Sequence, residues 1–220
     1  MSDLRDKQKR AREHAIVKAA DSLFQERGFS ATNVEDIAER AEVGVATVYK
    51  YFGSKSGVLH EIMRPDILSM REAGEMVLLD PPLDPAEAVV ALLFAYQFRD
   101  HWAHKDLIRA MAGGDFGYGG VFDELRREVD AFVLEQLREL LENAQKRGAV
   151  QPRLDAEDMA TIIYSMLNHN FQQYVREGDM PTAVFQRNLR RHIILLFEGW
   201  RGGQVEKNSQ GATRRKDRTK

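Results

Sequence analysis

Apolar residues recur at three- and four-residue intervals along most of this chain, and no useful length shows the strict alternation of a half-buried strand. A helix is predicted over Leu4–Arg27, with Ile16, Ala20, Leu23 and Phe24 on its buried face. Gly28 suits the residue after its last turn, where a left-handed backbone is favoured, and Phe29 can fold back on that turn. Val34, Ile37, Ala38 and Ala41 mark a short second helix, with Thr32 as its cap and Glu35 completing a capping box. Glu42-Val43-Gly44 reads as a tight turn in which Gly44 takes the unusual dihedrals, and Val45–Tyr51 as a third helix. Ser54 is placed to cap a fourth helix through Val58, Leu59, Ile62 and Met63, which kinks at Pro65 or ends just before it.

Pro81, Pro82 and Pro85 break the chain, and Asp84 can cap the helix that follows, with Val89, Leu92, Leu93 and Tyr96 in register to about Ala103. A shorter helix is expected around 105–112, then a glycine-rich loop over 113–120. Phe122 to Leu141 carry the face of a long amphipathic helix that ends at Gly148. Asp155 caps the next, which ends at Gly178, and Pro181 opens the last, which carries Phe185, Leu189, Ile193, Leu196, Phe197 and Trp200. The chain is therefore expected to be all-α, with about nine helices. Residues 202–220 hold few apolar groups and are expected to be a disordered basic tail.

The segment Thr32–Phe52 has the form of two short helices joined by a tight turn, the shape of a helix-turn-helix whose second helix enters the major groove. The run Phe24, Gly28-Phe29, Thr32, Ile37-Ala38, Ala41, Val43, Thr47-Val48-Tyr49-Lys50-Tyr51-Phe52, Ser54-Lys55 resembles the DNA-binding domain of the TetR family of bacterial transcriptional regulators. The resemblance covers residues 8–60. Glu42, Gly44, Ala46 and Gly57 depart from the residues common in that family. It implies an N-terminal three-helix DNA-binding domain with a basic arm over 1–53, and a helical ligand-binding and dimerisation domain over 54–201. Thr32, Val45, Ala46, Thr47, Tyr49, Lys50, Tyr51 and Lys55 are the DNA-binding candidates. Hydroxyl and ammonium groups donate to phosphate, and small side chains at the helix start suit thymine methyls.

Charge sharpens this picture. Residues 1–65 hold 11 Lys and Arg against 10 Asp and Glu, residues 66–200 hold 14 against 22, and residues 201–220 hold 7 against 2. The near-neutral total thus conceals an acidic middle that is ill suited to nucleic acid, while Arg5, Lys7, Lys9, Arg10 and Arg12 make the first helix basic. There is no cysteine, which excludes disulfides and thiolate metal sites and fits a reducing cytoplasm. No signal peptide or membrane span is expected: the longest uncharged run, 159–175, includes three Asn or His residues and two Gln residues.

By the same resemblance, a small apolar or aromatic effector binds among the middle helices, with Tyr96, Trp102, Phe116, Tyr164, Met166, His169 and Asn170 as candidate lining. The last two helices form a homodimer surface, with Met166, Tyr174, Ile193, Leu196, Phe197 and Trp200 as candidates. The expected partners are a double-stranded operator with an inverted repeat and the effector, and the expected activity is repression relieved by the effector. A helical DNA-binding module without an inducer, controlled by a protein partner or constitutive, is the alternative. No catalytic constellation and no cofactor motif stands out. His101 and His104 share a helix face, but a solvated helix end accounts for them without a metal.

Overall fold

The computed structural model describes residues 2–96, 121–177 and 180–201. The described residues form eight helices and no strand: α1 (Ser2–Arg27), α2 (Val34–Arg40), α3 (Val45–Phe52), α4 (Lys55–Leu79), α5 (Pro85–Ala95), α6 (Val121–Lys146), α7 (Ala156–Arg176) and α8 (Thr182–Trp200). The expected helix around 105–112 and the glycine loop lie outside them. The helix α5 ends at Ala95 with Tyr96 as its cap, and the rest of the expected extension to Ala103 lies outside the described residues.

Most of the expected punctuation is present. Gly28 and Gly148 have positive φ values of 83° and 73° at the ends of α1 and α6. Asp84 Oδ1 accepts the amides of Ala86 and Glu87, and Asp155 Oδ1 those of Glu157 and Asp158, so both helix starts have their free donors satisfied. Ser54 Oγ accepts the Gly57 amide at 3.0 Å. Pro65 neither ends nor begins a helix; α4 runs through it. The proline ring lies on the exposed side of α4, where the helix can tolerate the amide it lacks.

Two expectations at α2 are corrected. The cap is Asn33, one residue later than Thr32: Asn33 Oδ1 accepts the Asp36 amide at 2.7 Å and Asp36 Oδ2 accepts the Asn33 amide at 3.0 Å. Thr32 is instead buried, 1% exposed, and its hydroxyl donates to the Gly28 carbonyl at 2.9 Å. In the turn, Gly44 has an ordinary extended backbone (φ −72°), and Glu42 adopts the left-handed one at φ 55°.

Two hydrophobic clusters organise the chain. The first joins Ile16, Ala20, Leu23 and Phe24 of α1 to Ile37 and Ala38 of α2, Val48 of α3, and Val58 and Leu59 of α4. The second joins Ile67 and Met70 of α4 to the inner faces of α5, α6, α7 and α8. Leu137, Leu140, Leu141, Leu189, Ile193 and Phe197 are among its fully buried side chains; each stabilises the fold by roughly 1.5–3 kcal/mol through apolar burial. Met63 packs against both clusters, so α4 is a continuous rod between them. Helices α4, α5 and α6 meet at a buried polar contact. Tyr96 Oη donates to Gln136 Oε1 at 2.6 Å, and Gln136 Nε2 donates to the Arg71 carbonyl at 3.0 Å. Burial pushes the Tyr96 phenol up, holding it as a neutral donor.

Candidate nucleic-acid interface and effector region

Helix α3 is eight residues long, and its placement follows from one anchor. Val48 is fully buried in the N-terminal cluster, with Val45, Tyr51 and Phe52 packed beside it. The helical period then turns Ala46, Tyr49, Lys50 and Gly53 outward as one exposed stripe. Thr47, at the edge of that stripe, is half-buried. Gly44 offers no side-chain cap, so the start of α3 lacks the hydroxyl or carboxylate that would otherwise cover its amides. The turn before it closes through Val43 N to the Ala38 carbonyl at 2.9 Å.

The outer frame of this unit is ionic. Arg40 makes two bonds to the Glu26 carboxylate, at 2.9 and 3.0 Å, and Arg27 pairs with Asp36 at 2.6 Å. These contacts tie α2 to the end of α1 across a cleft that Leu23 and Glu39 also line. The Arg40 hydrogen bonds, with another from Ser22, hold the Glu26 carboxyl down at about 2. The Asn33 amide, first, and Arg27 hold Asp36 low in the same way.

The candidates for DNA contact separate on exposure. Ala46, Tyr49 and Lys50 are exposed, Thr47, Val45 and Tyr51 half-buried. Thr32 is not available, because both its hydroxyl and its amide bond to carbonyls within the chain. Lys55 is also engaged internally: its ammonium donates to the Phe29 carbonyl at 2.7 Å and the Thr32 carbonyl at 2.6 Å, and stands 4.1 Å from the centre of the Phe29 ring. Desolvation lowers its pKa, against an opposing pull from Asp36.

In the C-terminal region, Trp102 and Phe116 lie outside the described residues. Tyr96 is buried against Phe132, ring centres 6.0 Å apart. Tyr164 donates its hydroxyl to Asp130, and burial, with that carboxylate, pushes its phenol up. The stretch of α6 from Asp130 to Gln136 therefore passes both tyrosines. Asn170 is buried and donates to the Met166 carbonyl at 2.8 Å, while Met166 is half-buried. His169 is on the exposed side of α7 and does not join them. No group of three metal-ligating side chains occurs among the described residues.

The dimer candidates need a correction. Ile193 and Phe197 are 0% exposed and Tyr174 is 8% exposed, all inside the chain's own core. Tyr174 stacks beside Phe185 with ring centres 5.2 Å apart and shares a 3.0 Å hydrogen bond with Thr182. Met166, Leu196 and Trp200 are half-buried against the same core. Among the described residues, the large apolar side chains that α7 and α8 leave exposed are Ile162 (47%) and Leu195 (56%), neither of them among the dimer candidates. Ile162 stands next to the buried Ile163, and Leu195 lies within the apolar run 193–197 whose ends, Ile193 and Phe197, are buried.

Residues 16–62 match the profile of bacterial regulatory proteins, tetR family. The chain is 28% identical over 192 residues to an HTH-type transcriptional regulator of Bacillus subtilis, YdeS, covering 84% of this chain and 87% of that one. It is 24% identical over 199 residues to the HTH-type transcriptional repressor KstR of Rhodococcus jostii, covering 90% and 89%. Its fold is similar to that of FadR from Thermus thermophilus, a TetR-family repressor solved with lauroyl-CoA, with a TM-score of 0.63, 20% identity and coverage of 89% and 96%.

Proposed function

Because the chain belongs to the TetR family of bacterial transcriptional regulators and is a DNA-binding regulator of that kind, we propose that it is a homodimeric repressor released from its operator by a small apolar or aromatic effector. The observation that carries the reading is the outward stripe Ala46–Tyr49–Lys50–Gly53 on a short helix whose opposite face is locked by Val48. A helix so anchored presents fixed side chains to the major groove, with Tyr49 and Lys50 donating to phosphates, and Ala46 and Thr47 facing base edges. Residues 1–53 supply the reading surface and residues 54–201 the effector and dimer functions. The exposed Ile162 and Leu195, flanked by Met166, Leu196 and Trp200, are the apolar centre of the dimer contact between α7 and α8 of two copies. The effector occupies the helical domain near Tyr96, Tyr164 and Asn170. It acts by favouring a conformer in which the two α3 helices are mis-spaced for DNA. The repressor name of the Rhodococcus relative and the lauroyl-CoA held by the Thermus protein support this choice.

The test pairs two measurements. Thr47→Ala should weaken the selected operator more than random DNA, and equal loss on both would remove Thr47 as a base reader. Native mass spectrometry of protein purified from its own host should show a dimer carrying a small molecule. A ligand-free dimer whose operator affinity no apolar extract of the host alters would favour a constitutive regulator.

A further inference from the structure

Lys55 is the first residue of α4, and its sequence context pointed to a phosphate contact. Its surroundings point elsewhere. An ammonium has three donors, and two of them already bond to the carbonyls of Phe29 and Thr32 at 2.7 and 2.6 Å. The charge also lies over the Phe29 ring, a cation–π position. Those carbonyls belong to the connection between α1 and α2, so one side chain links the start of α4 to the segment that sets where α2 and α3 begin. Nearby contacts make the same junction rigid. A Cβ on Gly57 would run into the Phe52 carbonyl at the end of α3, and Val58 and Leu59 are fully buried in the N-terminal cluster.

We propose that Lys55 is a positioning residue for the DNA-reading surface, a clamp that fixes the α1–α2 connection to the first turn of α4, and not one of the cations that neutralise phosphate. The inference rests on the DNA-binding reading above. The depressed pKa of the ammonium agrees with a group already withdrawn from water.

The test compares Lys55→Met, which keeps the stem over Phe29, with Lys50→Met on the exposed stripe, in the full dimer on the selected operator. Each phosphate contact contributes about 0.9 to the slope of log K against log salt. Lys50→Met should lower the slope by about that amount. Lys55→Met should weaken binding about tenfold at every salt concentration, with a slope parallel to the parent's, and lower the melting temperature. A slope lowered as in Lys50→Met, with stability unchanged, overturns the clamp. The ammonium itself gives an independent reading. In protein labelled with ¹⁵N-lysine, the Lys55 signal, assigned by its loss in Lys55→Arg, should be protected from exchange without DNA and stay unmoved when operator is added. A signal broadened by exchange in the free protein that sharpens or shifts on DNA overturns the proposal, even where Lys55→Met does not fold. A parent protein that binds no selected DNA removes the DNA-binding reading, while the free-protein spectrum still decides whether the clamp exists.

Discussion

Replacing Gly74 by Ala should destabilise this protein, although helix propensity alone predicts the opposite. Gly74 sits mid-helix in α4, where Ala is favoured by about 0.8–1 kcal/mol. An added Cβ, however, would clash with Gln136 Oε1 and lie 2.7 Å from Tyr96 Cε1. Gln136 cannot simply step aside: it is 5% exposed, accepts from the Tyr96 hydroxyl at 2.6 Å and donates to the Arg71 carbonyl at 3.0 Å. Displacing it leaves buried polar groups unpaired, at about 1–3 kcal/mol each, and overpacking a close helix contact costs about 1–3 kcal/mol more. Set against the propensity gain, the expected loss is about 2–4 kcal/mol. Urea unfolding at fixed protein concentration should show a lower midpoint with an unchanged m-value. The cause is separable by a double-mutant cycle. In a Gln136→Ala background the clash is relieved and Gly74→Ala should cost at least ~1 kcal/mol less than in the parent. A Gly74→Ala variant stabilised by ~1 kcal/mol, or strict additivity with Gln136→Ala, would refute the reasoning.

Glu42 holds a left-handed backbone at φ 55°, which costs an L-residue about 1–2 kcal/mol, so Glu42→Gly should stabilise the protein by about 0.5–1 kcal/mol after the entropy of glycine is counted, as read by thermal unfolding; a lower midpoint would show the turn is unstrained. Leu195→Glu should yield a folded monomer that has lost operator binding, whereas Phe197→Glu should unfold the chain because it buries an unpaired charge; sedimentation and circular dichroism distinguish them, and a Leu195→Glu dimer of parental affinity would remove that face from the interface. Glu26 has a folded pKa held at about 2 by its bonds to Arg40 and Ser22, below its ordinary value of 4.5, so its contribution to stability is complete above that ordinary value and is lost as pH falls toward 2. Glu26→Gln should therefore flatten the fall of the urea midpoint between pH 4.5 and 2 relative to the parent, and parallel curves would show that the pair does not stabilise α2.

Much of the helical architecture is legible in the chain because its signals are local. The turn Glu42-Val43-Gly44 marked the start of α3, and caps such as Asp84, Asp155 and Ser54 depend on residues two or three positions away. What depends on tertiary contact was less legible. Thr32 and Asn33 are both competent caps, and the choice fell to Asn33 because Thr32 is drawn into the α1–α2 connection. Lys55 looked like a free cation until the fold brought two carbonyls 23 and 26 residues away onto its ammonium. Helices α7 and α8 carry apolar residues on more than one face, and periodicity cannot say which face meets the chain's own core. Ile193 and Phe197 went inward, leaving Leu195 outside.

The central claim is that two copies of α3 read DNA together, and footprinting on DNA selected from a random pool tests it most directly. The account predicts an enriched inverted repeat protected on one face of the duplex, with half-site centres about one helical turn, ~34–36 Å, or a multiple of it apart. Enrichment should vanish for protein carrying Thr47→Ala and Lys50→Ala together. A pool that shows no sequence enriched over random DNA, or a single unrepeated half-site bound at full affinity by a monomer, would contradict it.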